Sequence, residues 1–550
     1  MTKTNAPGTA RIDERPAHFR IGWLLAGLVC LPCFSGVEAS NSAVLEIGDR
    51  KQLFLDRHVV ESLTHAKRVL NPAVKHPANP LVKPDRPWEG HYLGLGRILY
   101  DEDRKVFRMW YGSTDRFAAK KGGDRLRPYR WDWSVEDGRA VRRKVEEIYG
   151  YSEYAGRNDW IRLYAESTDG IHWKKPNLGL VEFQGSRDNN ILPVGEYVPS
   201  HYDPYEPDPD KRYKKVVRRE SGIDPKNDPG LYAWDGVQVD FFHSPDGINW
   251  TPYPDNPRTV GEGDPWWVRR WGDFVGNWDP IGKHYVQYQE NCLHRYCPLG
   301  IRVIGRAQSP DMIHWTEMET IMVPDRDDDP DTEFYGMPVF YYEGFRIGLV
   351  WIFRTTNTLH YPQLAVSRDG VRYEREFREP LVRVGDYGDF DESTVYVRVP
   401  MVHDRQIRIY YYGGNWRGPE ALHAKGDRAI FAIGLATLPE DGFVSVDSGK
   451  IHAGELVTRP LRFQGRELVV NMDAAKHNHG SGRPQVRVEL LGVSHEPIEG
   501  FLLRESDPVT TSGRHVMSWQ GRNDVSRLAG RTVRLRFSMK NAKLYSFQFR

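Results

Sequence analysis

The sequence predicts an all-β protein: a five-bladed β-propeller followed by a C-terminal antiparallel β-sandwich. Three observations carry this. A seven-residue turn motif recurs along the chain, a pair of strand-like runs precedes each copy, and after Pro460 the motif stops while the alternation of strands continues. Composition agrees. With 51 Gly, 37 Pro and 12 % aromatic residues, turn formers and half-buried strand formers are plentiful. At 39 % hydrophobic and 27 % charged, the 550 residues can build a sizeable core. The 76 basic and 75 acidic residues leave a net charge of +1 and no long basic run, which argues against nucleic acid as a partner. The negative mean hydropathy excludes a polytopic membrane protein.

The first element is a leader. A polar stretch ends in His18-Phe19-Arg20, an apolar run follows from Ile21 to Val37, and Val37-Glu38-Ala39 offers small residues where a signal peptidase cuts. Residues 1–39 are therefore expected to leave as a signal peptide, giving a secreted or periplasmic protein with no stable membrane span. Gly22, Gly27, Pro32 and Gly36 suit a spanning helix poorly. The mature chain keeps Cys292 and Cys297, a pair that one disulfide would close into a short loop in an oxidising compartment.

The propeller is expected over residues 45–454. Ser167-Thr168-Asp169-Gly170-Ile171-His172-Trp173 recurs as Ser244-Pro245-Asp246-Gly247-Ile248-Asn249-Trp250 and as Ser309-Pro310-Asp311-Met312-Ile313-His314-Trp315. It returns, altered, as Ser367-Arg368-Asp369-Gly370-Val371-Arg372-Tyr373 and as Pro439-Glu440-Asp441-Gly442-Phe443. Ser and Asp side chains can bond the backbone of a tight turn, and Gly supplies a positive φ. The closing aromatic can wedge between sheets. Ahead of each turn lies a hairpin: Leu95–Tyr100 with Val106–Tyr111, Tyr202 with Tyr213–Val217, Trp271–Val275 with His284–Gln289, Val339–Tyr342 with Arg346–Phe353, and Val395–Val402 with Gln406–Tyr412. A hairpin, a third strand and the turn make one blade. Residues 455–550 read as the sandwich, a packing partner for the propeller or a sugar-binding module.

Blades with S-x-D-G-x-x-W turns, followed by a small β-sandwich, resemble the propellers of glycoside hydrolase families 32 and 43; those of family 130 carry similar turns. The resemblance implies a saccharide substrate in a funnel at one end of the axis, with carboxylates supplied by the innermost strands. Carried onto this chain, it selects Asp203 in His201-Tyr202-Asp203-Pro204, where Asp203-Pro204 resembles part of the family 32 Arg-Asp-Pro element. It also selects Asp273 in Trp271-Gly272-Asp273-Phe274, Glu333 in Thr332-Glu333-Phe334, and Asp391 in Phe390-Asp391-Glu392. Blade one departs from the pattern: its inner strand holds no acid, and the nearest is Glu89.

Glycoside hydrolysis needs two carboxyl groups flanking the scissile bond, one of them protonated. Glu333 is expected as general acid, Asp273 as base or nucleophile, and Asp203 as the group that fixes the acid or binds hydroxyls. Glu89, His91, His201, Trp267, Arg354, His360, Asp391 and Trp416 are expected to bind substrate, through ring stacking and charged hydrogen bonds. The charged insertion from Thr114 to Trp160 is either a cover for the funnel or a surface loop. Asp327-Asp328-Asp329 with Asp331 is either a Ca²⁺ site or a solvated acidic turn. No phosphate loop, zinc cluster or G-x-S-x-G element stands out, so no cofactor is expected. Two further readings keep the fold: a non-catalytic carbohydrate-binding propeller and a glycoside phosphorylase.

Overall fold

In the computed structural model the described residues are 43–90, 92–114, 135–136, 139–140, 161–193, 201–219, 238–254, 258–259, 277–293, 301–312, 314–415, 430–449, 451–474 and 483–550. The expected leader and most of the 114–160 insertion lie outside them, as does Cys297. Strands dominate the described residues, interrupted by single 3-10 turns such as Pro209–Lys211. The chain is all-β.

The repeated turn has the chemistry its residues predict. Ser167 Oγ accepts the Gly170 N–H at 2.8 Å and donates to Asp169 Oδ1 at 2.9 Å. Asp169 Oδ1 also accepts the N–H groups of Ile171 and His172, each at 2.8 Å. The same bonds recur at Ser244–Asn249 and Ser367–Arg372. Burial works against the charged form here, yet these donors hold Asp169, Asp246 and Asp369 below the ordinary carboxylate range. Gly170, Gly247 and Gly370 lie at φ +74°, +69° and +78°, and Met312 takes that place at +68° in the third copy.

Among the described residues, five antiparallel meanders carry these turns. The first runs Tyr92–Asp101, Val106–Thr114, Ile161–Ser167, with Lys174 bridging Glu166 on its outer edge. The second runs His201–Tyr202, Tyr213–Arg219, Gln238–Ser244, Thr251–Pro252. The third is Asn277–Asp279, His284–Cys292, Arg302–Ser309, Glu319–Met322. Its expected first strand, Trp271–Val275, lies outside the described residues. In the fourth, Thr332–Phe334 and Val339–Tyr342 both pair with Phe345–Arg354, and Leu359–Ser367 follows. The first strand of this meander thus begins earlier than the sequence predicts. The fifth has Thr394–Val397, Gln406–Gly414 and Phe431–Pro439, and takes its outer strand, Val74–Lys75, from the other end of the chain.

Four of the turns seat against a neighbouring meander. The Gly170 carbonyl accepts from Tyr410 Oη at 2.9 Å and the Asp169 carbonyl from Arg408 at 2.6 Å, joining the first meander to the fifth. Gly247 accepts from Trp110 Nε1 at 2.8 Å, joining second to first. Gly370 accepts from Tyr288 Oη at 2.9 Å, joining fourth to third, and Tyr342 donates to Asp441 at 2.5 Å, joining fifth to fourth. At the opposite end of the strands, Tyr92 pairs in parallel with Phe431 and Thr394 with His360.

Two further sheets enclose one apolar core that includes Phe54, Leu468, Val488, Trp519, Leu535, Phe537 and Phe547. One sheet is ordered Gly513–Val516, Leu468–Ala474, Ala542–Phe549, Val444–Ser448, Ala66–Leu70. The other is ordered Val60–Thr64, Gly454–Thr458, Arg534–Lys540, Gln485–Leu491. Strands from 45–64 and from 444–448, on the propeller side of the expected 454/455 division, pair with strands beyond it. These pairings span most of the chain, and no local residue pattern announces them.

A Cβ on Gly170 would sit 2.3 Å from Tyr410 Oη and 2.6 Å from Arg408, whereas one on Gly179 (φ +67°) would meet nothing within 4 Å. Gly179→Ala should cost only the backbone term of about 1 kcal/mol. Gly170→Ala should cost more than about 3 kcal/mol, because the turn must leave its seat. Urea denaturation of the two variants checks the difference.

Candidate active site

The acidic residues singled out in the sequence divide into two kinds. Glu89 is fixed from every side: Tyr111 Oη donates to Oε1 at 2.7 Å, while Lys175 Nζ at 2.7 Å and the N–H groups of Asp85 and Arg86 reach Oε2. Its side chain is fully enclosed. Asp391 repeats the plan, with Lys75 Nζ at 2.6 Å and Tyr411 Oη at 2.8 Å on Oδ2. Burial first, and then the neighbouring carboxylate, push the hydroxyls of Tyr111 and Tyr411 far above their ordinary range. In the fourth meander Arg375, at the place after its turn that Lys175 holds in the first, grips Asp328 with two bonds of 2.6 and 2.9 Å. In all three cases a cation at the outer edge latches an acid that precedes the inner strand of the same meander.

Glu333 is different. It stands on the inner strand Thr332–Phe334, and its Oε2 accepts a short bond from Arg302 Nη1. Arg302 opens the third strand of the preceding meander, and its Nε lies 3.4 Å from Glu290 Oε1. One guanidinium therefore touches two carboxylates. Burial works to lower the pKa of Arg302, but the bond to Glu333 and the charges of Glu290 and Glu333 raise it beyond the ordinary value. The side chains of Arg302, Glu290 and Glu333 keep 31, 28 and 16 % of their surface open.

Aromatic rings wall this triad. Arg302 Cζ lies 5.5 Å from the ring centroids of both Tyr335 and Phe353. His360 stacks on Phe353 at 4.5 Å, and Tyr396 lies 4.8 Å from both His360 and Trp351. Tyr412 continues from Tyr396 at 5.1 Å, and Tyr92, stacked on Phe431 at 4.1 Å, comes next. Tyr335 remains 36 % exposed although three rings flank it and burial raises its hydroxyl pKa, which describes a surface lining a recess. Burial, reinforced by the Arg302 charge, pushes His360 down to about 3. Its buried Nδ1 has no hydrogen-bond partner among the described residues, nor has Trp351 Nε1. A recess of rings beside two partly open carboxylates is suited to a polyhydroxylated ring.

Asp203 lies in the second meander, buried, with Tyr285 Oη on Oδ2 at 2.9 Å and the Tyr205 N–H on Oδ1 at 2.9 Å. His201 is buried edge-on to Tyr285, with ring centroids 5.2 Å apart. Arg354 is spent on Asp331 and Asp329, at 2.6 and 2.5 Å. Those pairs, with Arg375 and Arg378 on Asp328, fill the acidic run read as a Ca²⁺ site or a solvated turn. Among the described residues no group of three or more His, Cys, Asp or Glu side chains is placed to hold a metal. His91, Trp267, Asp273 and Trp416 lie outside the described residues. Of the described candidates, Glu333 and His360 come together at the recess. Sequence reasoning missed Glu290, Arg302, Tyr335 and Tyr396; the available signal was that Arg302, His360 and Phe431 open, or nearly open, the third strands of successive meanders. A cavity of about 610 Å³ lies elsewhere, lined by Asp56, Arg57, His58, Arg368, Glu374 and Glu376, and its walls are ion pairs rather than rings.

No family model and no curated protein matches the chain. It is similar to several solved structures. One, described as a glycoside hydrolase, gives 12 % identity and a TM-score of 0.38 over 67 % of this chain and 92 % of that protein. Another is a beta-1,2-mannobiose phosphorylase from Listeria innocua, at 13 % identity and a TM-score of 0.38 over 66 % and 96 %. A GH32 beta-fructofuranosidase of Bombyx mori gives 11 % identity and a TM-score of 0.33 over 87 % and 94 %. Among the described residues no helix is long and apolar enough to cross a membrane.

Two stability measurements separate the kinds of residue. Glu89→Ala takes the acceptor from the buried Tyr111 hydroxyl and one of two carboxylates from the enclosed Lys175, which keeps Asp85, and should cost on the order of 3 kcal/mol in urea denaturation, whereas Glu333→Ala, which removes a partly open ion pair, should stay within about 1 kcal/mol. His360 titrates near 3 when folded and at 6.5 when unfolded, so between those values the unfolded chain binds the extra proton and stability falls as pH falls. Thermal melts of His360→Phe between pH 7 and 4 should show a shallower loss than the parent chain.

Proposed function

We propose that this chain is an exported glycoside hydrolase that cleaves a poly- or oligosaccharide by carboxylate acid/base catalysis, its five meanders being the blades of a β-propeller and its two packed sheets a β-sandwich. The turn contacts that link first to fifth, second to first, fourth to third and fifth to fourth, with the Tyr285–Asp203 bond between third and second, support a closed ring of blades. The apolar run and the Val37-Glu38-Ala39 step support export.

One observation carries the chemical reading: Glu333 stands partly open in a recess walled by Tyr335, Phe353 and His360, while Glu89 and Asp391 are latched by lysine and tyrosine. In this reading a sugar ring stacks on Tyr335, with the neutral His360 packed behind it. Glu333 is one of the two carboxyl groups that hydrolysis needs. Asp203, with both oxygens engaged by Tyr285 and the Tyr205 N–H, acts as a buttress beneath the first strand of its blade. Asp273 remains the candidate that the resemblance offers for the second carboxyl group.

The test is incubation of the mature chain with a panel of plant and algal polysaccharides, followed by product analysis. The parent chain should release reducing ends from at least one of them. Glu333→Gln should lower turnover by about 10²–10⁴-fold with its melting temperature held; undiminished turnover in that variant refutes the role given to Glu333.

A further inference from the structure

We infer that Glu290 is the second carboxyl group of the site and that Arg302 is the residue that positions it against Glu333; this rests on the hydrolase reading above. Glu290 lies near the end of the strand His284–Cys292, whose Cys292 pairs with Arg302, so Glu290 and Arg302 leave adjacent strands at the same end of the meander. Glu333 comes from the next meander. The guanidinium crosses that seam, with Nη1 bonded to Glu333 Oε2 and Nε 3.4 Å from Glu290 Oε1. Its plane is held by the rings of Tyr335 and Phe353, each 5.5 Å away. A guanidinium is a short, rigid fork. Two carboxylates on one fork therefore fall within the roughly 5–10 Å that separates a glycosidase's acid from its base or nucleophile. Both are partly open to water, as reacting groups must be, and the exposed ring of Tyr335 lies beside them.

The step balances with water as the only co-reactant. One carboxylic acid of the pair gives its proton to the glycosidic oxygen as the C1–O bond breaks, and the aglycone leaves as an alcohol. The other carboxylate takes a proton from the water whose oxygen bonds to C1. Exchange with solvent then returns each group to its starting state. Arg302 takes no part in the bond changes. It bonds Glu333 and keeps its charge within 3.4 Å of Glu290, so that both carboxylates stay beside one cation, and it is a positioning residue.

The experiment uses the mature chain and the polysaccharide on which the parent chain is active. Glu290→Gln should lower kcat by about 10²–10⁴-fold, and Glu290→Asp, which keeps the charge and displaces it by one methylene, by about 10²-fold. Sodium azide or formate should restore part of the turnover of Glu290→Ala or of Glu333→Ala, which no structural role would produce. Arg302→Lys should lower kcat by about 10²-fold while KM stays nearly constant. Turnover of both Glu290 variants within about tenfold of the parent, far short of the loss of a general acid or base, overturns the inference. So does loss of activity in Asp273→Asn when Glu290→Gln retains it. A parent chain inactive on the whole panel refutes the hydrolase reading and this inference with it, so the two failures are told apart by the parent chain alone.

Discussion

The arrangement depends on a single contact repeated at successive seams: a turn carbonyl seated on a buried donor from the neighbouring meander. Where the turn residue is glycine, at positions 170, 247 and 370, there is no Cβ to keep that carbonyl away from Tyr410, Trp110 or Tyr288. The donors are large, enclosed side chains, so each lost bond would leave a buried polar group unsatisfied, which costs far more than the bond's net gain. The meanders are thus fixed against one another at the turn end. What happens at the other end follows from that. Strand starts converge there, Tyr92 reaches Phe431, Thr394 reaches His360, and side chains remote in sequence are brought to common ground.

Charge is distributed accordingly. An acid ahead of an inner strand can be consumed as structure, as Glu89 and Asp391 are by Lys175 and Lys75 with a tyrosine completing the set. An acid within the inner strand meets the seam instead. At the seam between the third and fourth meanders the partner is an arginine that also serves Glu290. Latched acids stiffen a meander. Shared ones leave two carboxylates near each other, partly hydrated and framed by rings.

The turns were legible because their chemistry is local: serine, aspartate and glycine act on their own backbone within seven residues, and the structure repeats those bonds copy after copy. The strands were legible for the same reason, through alternation and hairpin spacing. The fate of the acids was not. Whether Glu89 is a ligand or a latch depends on Lys175, 86 positions along, and Glu333 meets an arginine 31 positions earlier. A single-residue reading treats both as inward-facing carboxylates, since their difference is set by the cation opposite. The pairing of residues 45–70 with the C-terminal sheets was hidden likewise, because strand pairing across the whole chain leaves no mark on either segment alone.

Arg302, His360 and Phe431 occupy matching places at the start of third strands, yet one is a cation, one a neutral imidazole and one a hydrocarbon ring. The backbone tolerates all three because that position is held by strand pairing and by the neighbour's inner strand, not by its own side chain. Such positions can therefore change chemistry without disturbing the meander behind them. The turn glycines cannot, since any Cβ there would enter the neighbour. A fold with rigid turns at one end and permissive strand starts at the other can keep its architecture while its reacting groups drift from meander to meander. That is why inner-strand position alone did not separate Glu333, which shares an arginine with Glu290 across the seam, from Asp203 and Asp391, whose oxygens are taken up by tyrosine and lysine.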